Sequence, residues 1–504
     1  MVQSMPTLEY KMTKFQSIFW HRRDLRIEDN IGLFEASKNS KNLIGIYVLD
    51  PNLLNLNRTT SEAKNWFLGE SLFELQKNWK KRGSLLLILN GDPIKLISKL
   101  ANLIKAECIY WNKNIEPYEI NRDKQITNQL LKEKRKVYTF LDQLIVNPVN
   151  IKTNNEEPYK VYGPFYRKWI DIINRRNLLE NSLIQVPSTP AKISDLGERE
   201  ISSLKNSDIN YCITKKSQVV YDLISSNRFN NSNLCPCKPG ESNSTKQLNF
   251  FIHSGIINSY NQARDIPSLE STSTLSAALS LGTISCRAVW NGAQISKKIA
   301  TDEYQTNSID IWIKELAWRE FYQNALFNFP ELEKGPYRKK WFNFPWGNRT
   351  DWFEAWENGF TGIPIIDASM RQLKNSGWMH NRCRMIVASF LVKDLLIDWR
   401  WGESFFMKNL VDGDLASNNG GWQWSASSGM DPKPLRIFNP FRQASKFDEN
   451  GTYIRKWIPE LSHISTPNLL SGEIISSERK GYPKPIINHK IQTSTFKELY
   501  SSIN

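Results

Sequence analysis

Leu43-Ile44-Gly45-Ile46-Tyr47-Val48-Leu49 is an unbroken apolar run, short for a buried helix and rich in the residue types that strands favour. A strand apolar on both faces belongs in a parallel sheet covered by helices on each side. Working outward, Ser17-Ile18-Phe19-Trp20 precedes it, and Leu85-Leu86-Leu87-Ile88-Leu89, Cys108-Ile109-Tyr110-Trp111 and Val137-Tyr138-Thr139-Phe140-Leu141 follow. Residues 60–81 set Trp66, Leu72, Leu75 and Trp79 at helical spacing. Strands alternating with helices predict an α/β doubly wound parallel sheet over residues 14–142. No Gly-x-Gly-x-x-Gly follows the first strand, so the usual dinucleotide fingerprint is missing. Ligands of such sheets still bind beyond the carboxyl ends of the strands.

At 504 residues the chain exceeds one hydrophobic core. Residues 143–245, rich in Ser, Asn, Pro and Lys, read as an interdomain connection over the surface with local helix near 166–176. From 246 to 480 the pattern is helical, with apolar residues three and four apart in 309–327, 365–374 and 381–398, which predicts an all-α domain. Of 18 tryptophans, 13 fall between Trp290 and Trp457, inside that helical part. Residues 1–13 read as a disordered extension, with Met12 an alternative start.

Lysine and arginine total 66 against 51 acids, a net +15 that favours a polyanionic partner, nucleic acid ahead of an anionic membrane. The plain alternative is a compositional bias, visible in Lys38-Asn39-Ser40-Lys41-Asn42. Cys235-Pro236-Cys237 is the only close pair among six cysteines and has no histidine nearby, so no metal site is assigned. Free thiols point to a reducing compartment, and no apolar stretch reaches the roughly 20 residues of a membrane span. A cytoplasmic protein is expected.

The most informative motif is Asp412-Gly413-Asp414-Leu415-Ala416-Ser417-Asn418-Asn419-Gly420-Gly421-Trp422-Gln423-Trp424. Polar groups that need partners when buried alternate here with large flat rings, which suits the wall of a site for a planar ligand. Thr272-Ser273-Thr274-Leu275-Ser276 runs into Ala277-Ala278-Leu279, where hydroxyls and helix-start N–H groups can hold a phosphate. An ordinary hydroxyl N-cap is the simpler reading of that run taken alone. Glu315, Trp318 and Arg319 fall within one turn, joining a carboxylate acceptor to an indole platform, or forming only a surface ion pair. Gly377-Trp378-Met379-His380-Asn381-Arg382-Cys383-Arg384-Met385 sets Asn381, Arg384 and Met385 side by side, and Arg384 can pair with an Asp of the 412–424 motif. His380 reads as structural, since no acid is in sequence reach for acid–base work.

In this order, Phe19-Trp20-His21-Arg22-Arg23-Asp24-Leu25-Arg26, the Thr-Ser-x-Leu-Ser run, Trp318-Arg319-Glu320-Phe321-Tyr322, Trp378 to Arg384 and Asp412 to Trp424 resemble the photolyase/cryptochrome family over about residues 15–465, most nearly class I cyclobutane pyrimidine dimer enzymes of the bacterial, cyanobacterial-like type. Residues 195–250 show little resemblance. The resemblance implies an α/β antenna domain and a helical domain holding FAD, with the reduced form FADH⁻ active. It places Tyr260, Thr272, Ser273, Thr274, Leu275 and Ser276 at the flavin phosphates. Trp312, Asn381, Arg384, Asp412, Gly413, Asp414 and Asn418 would line the rest of the pocket. Asn418 falls at the position facing flavin N5, where plant cryptochromes carry Asp and insect cryptochromes Cys, which favours repair over signalling. Trp422, Trp399 and Trp346 match the family's electron-transfer tryptophans.

Members that act on (6-4) photoproducts carry two histidines near Asn381 and Met385, so the asparagine and methionine here imply cyclobutane dimers in double-stranded DNA. Glu315, Asn381 and Met385 would meet the flipped lesion, with Trp318 and Trp424 as walls, and Arg264, Arg382, Arg436, Gln443 and Lys446 would grip DNA. A monomeric light-driven lyase follows. The antenna is an 8-hydroxy-deazaflavin or methenyltetrahydrofolate. Ile115-Glu116-Pro117 resembles deazaflavin binders, but Asn114 and Ser280 replace their acid and lysine, and Arg122 replaces the folate binders' glutamate. The rival readings are a signalling cryptochrome, opposed by Asn418, a single-strand-specific DASH-type enzyme, opposed by Met385 where glutamine is usual, and a basic DNA-binding protein with no cofactor.

Overall fold

The apolar runs pair into one sheet of order β5-β4-β1-β2-β3-β6, formed by β1 (Phe15–His21), β2 (Ser40–Leu49), β3 (Leu86–Asn90), β4 (Cys108–Asn112), β5 (Lys136–Phe140) and β6 (Tyr211–Cys212). The structure is a computed structural model and describes residues 15–54, 61–177, 193–205, 207, 209, 211–212, 229, 231–430 and 436–503. The extension that contains Met12 and part of the 143–245 connection lie outside the described residues. Strands β1 to β5 are parallel, as expected, while β6 pairs antiparallel with β3. Two residues at a sheet edge carry too little pattern to be seen in sequence.

Helices α1 (Ile31–Asn39), α2 (Glu62–Lys81), α3 (Pro93–Leu103) and α4 (Pro117–Lys132) accompany the sheet. Strand alternation sends Ile18 and Trp20 to one face with Ile97 and Leu100 of α3, and Phe19 to the other with Phe67, Leu72 and Trp79 of α2. Gly45 permits this packing, because a Cβ there would lie 2.7 Å from the Trp79 ring. The strand order reverses between β1 and β4, so the loops that follow them flank the crevice where such sheets take ligands. Arg23 and Glu116 sit on those loops.

The connection does not only drape over the surface. Its helix α5 (Tyr162–Asn177) buries Phe165, Trp169 and Ile173, with Phe165 edge-on to Phe321 at 5.3 Å and Trp169 edge-on to Trp290 at 5.6 Å. The i, i+4, i+8 stripe that makes it a helix also docks it.

After residue 246 the described elements are all helical. Those that matter for the site are α6 (Ser276–Leu281), α7 (Cys286–Ile299), α8 (Glu303–Asn328), α9 (Pro364–Ser376), α10 (Asn381–Lys393), α11 (Trp399–Asn409), α12 (Leu415–Ala426) and α13 (His489–Ser502). Helix α10 stops short of the expected Asp398. Leu396 turns at φ 53, Ile397 N–H donates to Leu391 O at 3.1 Å, and the Asp398 side chain accepts from Arg400 N–H at 3.0 Å to start α11.

The two halves meet across a buried polar seam. Arg287 donates to Asp29 at 2.7 Å and to Asp142 at 2.6 Å, and Arg26 also pairs with Asp142. Gly282, at φ 70, lies so near that a Cβ would be 2.0 Å from Arg23 O, which leaves room for glycine alone. One apolar cluster runs through both halves, from Phe19 and Leu72 to Trp312 and Val411, and a second fills the helical part around Trp341, Trp399 and Trp422.

Candidate active site

Three helices turn one face each into a shared cavity of about 510 Å³. Helix α8 contributes Trp312, Glu315, Leu316, Trp318, Arg319 and Tyr322; α10 contributes Asn381, Arg384, Met385 and Ala388; α12 contributes Ser417, Asn418, Gly421, Trp422 and Trp424. The recurring spacings of three and four explain why so many candidates converge. Loops 272–276 and 410–414 complete the wall, together with Tyr260 and Arg264.

All the expected cofactor contacts line this cavity except Thr274. Thr274 takes φ 48 and is held from behind: Cys237 Sγ donates to its carbonyl at 3.3 Å, and Gln247 donates to its hydroxyl. The short helix α6 starts with Leu275 at its N-cap and no side-chain cap, so the plain hydroxyl-cap reading is not what is built. Thr272, Ser273 and Ser276 face the cavity.

Arg384 donates to Asp412 Oδ2 at 2.8 Å, the pairing expected from sequence, and its Nε donates to Met379 O at 2.8 Å. Asp412 Oδ1 is buried and has no partner among the described residues. Asp414 Oδ1 accepts from Ser417 N–H at 2.9 Å and so caps α12, while Gln323 Nε2 donates to Oδ2 at 3.2 Å. Burial alone would raise the Asp414 pKa, but Arg23 and then Arg319 hold it well below the usual carboxylate range. Asn418 Nδ2 donates to Glu403 O at 3.0 Å. Glu403 Oε1 accepts from Asn419 at 2.9 Å, and burial pushes its carboxyl up to about 7 against that hydrogen bond.

These features fit a dinucleotide with a flat ring. The hydroxyls of Thr272, Ser273 and Ser276 could hold phosphates, the indoles of Trp312 and Trp422 line the cavity, and a buried acid oxygen without a partner among the described residues suits an N–H or O–H donor. A Cβ at Gly421 would meet nothing within 4 Å, so this wall stands clear of protein.

On the same cavity Glu315 accepts from Arg264 at 2.6 Å, and burial raises its pKa against that ion pair. Trp318 is stacked on Tyr162 of α5, centroids 3.6 Å apart and planes 5° off parallel, and the Tyr162 hydroxyl donates to Lys314 O at 2.8 Å. Trp424 lies 5.7 Å from the Arg436 guanidinium. Arg382, Gln443 and Lys446 lie outside the cavity. Arg382 pairs with Asp265 at 2.7 Å, and both Arg382 and Lys446 lean on the Phe447 ring. His380 is buried, its Nδ1 accepts from Arg382 N–H at 3.2 Å, and burial pushes it down to about 4, which keeps it neutral.

Of the three expected electron-transfer indoles, Trp422 borders the cavity, Trp399 is fully buried, and Trp346 is half-buried beside Trp341 and Phe344. Trp422 also packs edge-on to Phe406 at 5.0 Å and Trp356 at 6.2 Å. Sequence reasoning missed Arg23, Lys64, Tyr162, Gln323 and Glu403.

Residues 17–184 match the family model described as DNA photolyase, and residues 312–502 match that of the FAD binding domain of DNA photolyase. A deoxyribodipyrimidine photo-lyase of Synechococcus sp. is 46% identical over 487 residues, covering 96% of each chain. A bacterial class III photolyase of Agrobacterium tumefaciens superposes with a TM-score of 0.84 at 32% identity, over 99% of both chains. A cryptochrome of Synechocystis sp. gives 0.82 at 25% identity, over 96% of this chain and 99% of that one.

Proposed function

Since this chain belongs to the DNA photolyase family, we propose that it repairs cyclobutane pyrimidine dimers in double-stranded DNA in a light-dependent reaction. It is an FAD enzyme, a carbon–carbon lyase, and its substrate is DNA. The observation that carries the reading is one cavity lined by Arg384, Asp412 and Asn418 together with Glu315, Trp318, Asn381, Met385 and Trp424. Donor and lesion would then share a single cavity.

Reduced FAD, when bound, supplies on absorbing blue light the electron that opens the cyclobutane ring and takes it back afterwards. The protein's part is placement. Thr272, Ser273, Leu275, Ser276 and Tyr260 take the phosphate end; Trp312, Arg384, Asp412, Gly413 and Asp414 hold the ring end. Thr274 shapes the phosphate loop from behind. Asn418, its Nδ2 spent on Glu403 O, would present Oδ1 to the flavin ring without adding charge. Glu315 and Asn381 accept and donate to the flipped pyrimidines, Met385 touches the lesion, and Trp318 and Trp424 exclude water. Arg264, Arg382, Arg436, Gln443 and Lys446 grip the surrounding DNA. Trp422, Trp399 and Trp346 would relay electrons from an external reductant toward a bound oxidised flavin.

The same reading assigns residues 14–142 to the antenna domain, 143–245 to the connection and 246–480 to the FAD and DNA domain. It takes an 8-hydroxy-deazaflavin or methenyltetrahydrofolate as the antenna; Arg122, where folate binders have glutamate, is locked to Asp50 at 3.1 Å and Asp123 at 3.2 Å, while Asn114 and Ser280 stand where deazaflavin binders have an acid and a lysine. It takes the enzyme as a cytoplasmic monomer. Cys108, Cys235, Cys237, Cys286 and Cys383 are free and buried, as suits a reducing compartment, and one chain supplies every wall of the cavity. Among the described residues no helix is long and apolar enough to cross a membrane.

The test is removal of cyclobutane dimers from irradiated duplex DNA by purified enzyme in blue light and in darkness, with a (6-4) substrate alongside. Repair confined to the lit cyclobutane sample is expected. Turnover in darkness, or none in light by fully reduced enzyme, would overturn the assignment.

A further inference from the structure

Arg23 leaves the end of β1 at the point where the strand order reverses, and its guanidinium crosses the seam between the two halves of the chain. Its Nε donates to Ser280 O at 2.8 Å, one terminal nitrogen pairs with Glu116 at the start of α4, and the other pairs with Asp414. Two more side chains from the same half reach the same loop: Lys64 Nζ donates to Gly413 O at 2.5 Å, and Ser61 Oγ donates to Leu410 O at 2.7 Å. The loop they hold carries Asp412 and Asp414, and Asp414 caps the helix that presents Asn418 and Trp422.

We propose that Arg23 is a positioning residue of the cofactor pocket, tying Asp414 to Glu116 across the domain seam so that the α/β half sets the place of the Asn418 face. The crevice in which sheets of this class ordinarily take a ligand is used here, at Arg23, to complete the pocket of the neighbouring domain. Burial explains why a charge is needed. Asp414 is 7% exposed and the Arg23 side chain 12%, so neither charge can be left to water. Without Arg23 the Asp414 carboxylate loses its directly bonded cation and keeps the neutral Gln323 and Ser417 donors with the charge of Arg319 nearby, and an under-paired buried carboxylate recovers by taking up a proton or moving toward solvent. Either response loosens the start of α12, and with it the side chains four and eight residues on.

The inference rests on the reading that this cavity holds FAD, and the experiment separates the two. Full-length apoprotein is titrated with FAD, and the bound flavin's absorption spectrum and midpoint potential are recorded for wild type, Arg23→Gln, Arg23→Lys, Asp414→Asn and Arg23→Gln/Asp414→Asn. Arg23→Gln should weaken FAD binding by about tenfold or more, the loss expected when one partner of a buried pair is removed. Arg23→Lys should recover part of it, and Arg23→Gln should cost little in the Asp414→Asn background, because the two act as one unit. The bound spectrum or potential should shift with the affinity. Unchanged binding in Arg23→Gln, or losses that simply add in the double variant, overturns the proposal. Should Arg23→Gln not fold, Arg23→Lys and Glu116→Gln decide it: wild-type affinity and spectrum in both overturns it, weakened binding in both supports it. Wild-type apoprotein that takes up no FAD refutes the cavity assignment itself, and this inference with it.

Discussion

Asn418 Nδ2 donates to the backbone carbonyl of Glu403 at 3.0 Å, which orients the amide and leaves Oδ1 as its free end beside the cavity. A carbonyl anchor is indifferent to pH and redox state, so the orientation survives changes elsewhere in the site. Asn418→Ala should therefore lower repair by about ten- to hundredfold, the range for losing a hydrogen bond to a charged or strongly polarised group. Asn418→Asp should also depress the flavin midpoint potential, because it adds a negative charge. Repair assays on chemically reduced enzyme, with spectroelectrochemistry, check both.

Glu403 supplies a pH test. Burial raises its carboxyl to about 7 from an ordinary 4.5. A raised acid pKa means the folded state binds the proton more tightly than the unfolded chain does, so this stabilisation is complete below about 4.5 and is lost as pH rises through about 7. Glu403→Gln cannot ionise and should gain on wild type in denaturant melts as pH goes from 5 to 8. Parallel melting curves across that range would count against the assignment.

Glu315 accepts from Arg264 at 2.6 Å and Arg384 donates to Asp412 at 2.8 Å, two separate pairs on the same cavity. Glu315→Ala should weaken binding of dimer-containing DNA by about tenfold or more while leaving the flavin spectrum unchanged, since it strands Arg264 and removes an acceptor for the flipped base. Equilibrium binding to irradiated and undamaged oligonucleotides measures the difference.

Lys446 is exposed at the Phe447 ring and, among the described residues, has no ion pair that would hold it back from a phosphate. Lys446→Ala should reduce the slope of log affinity against log salt by about one, without altering the preference for damaged over intact DNA. An unchanged slope removes Lys446 from the footprint.

If Trp422, Trp399 and Trp346 carry electrons to the flavin, variants at them separate photoreduction from repair. Trp422→Phe should abolish blue-light reduction of oxidised flavin but spare repair by enzyme reduced beforehand. Trp399→Phe and Trp346→Phe should each slow photoreduction. Trp356→Phe is the informative control, because Trp356 also touches Trp422 at 6.2 Å. Transient absorption with an external thiol donor follows each variant.

What was legible in the chain was whatever repeats over a few residues. Five strands and the facing residues of α8, α10 and α12 follow from apolar runs and spacings of three and four, and those spacings bring Glu315, Asn381 and Asn418 to one cavity. What was hidden depends on partners distant in sequence. Arg23 meets Asp414 across 391 positions, and Tyr162 meets Trp318 from a stretch that looked like a tether. Thr274 belonged to the right motif yet faces away, because φ 48 turns its hydroxyl to Gln247. A motif names the segment, whereas backbone turns decide which of its members face inward.

The apolar cluster that joins Phe19 and Leu72 to Trp312 and Val411 leaves no plane along which the chain can be cut without opening its interior to water. Heat or denaturant should thus dissolve both halves in one cooperative step, and neither should persist as an isolated folding unit. For such a chain, loss of the parallel sheet and loss of the cavity that takes FAD would be a single thermodynamic event.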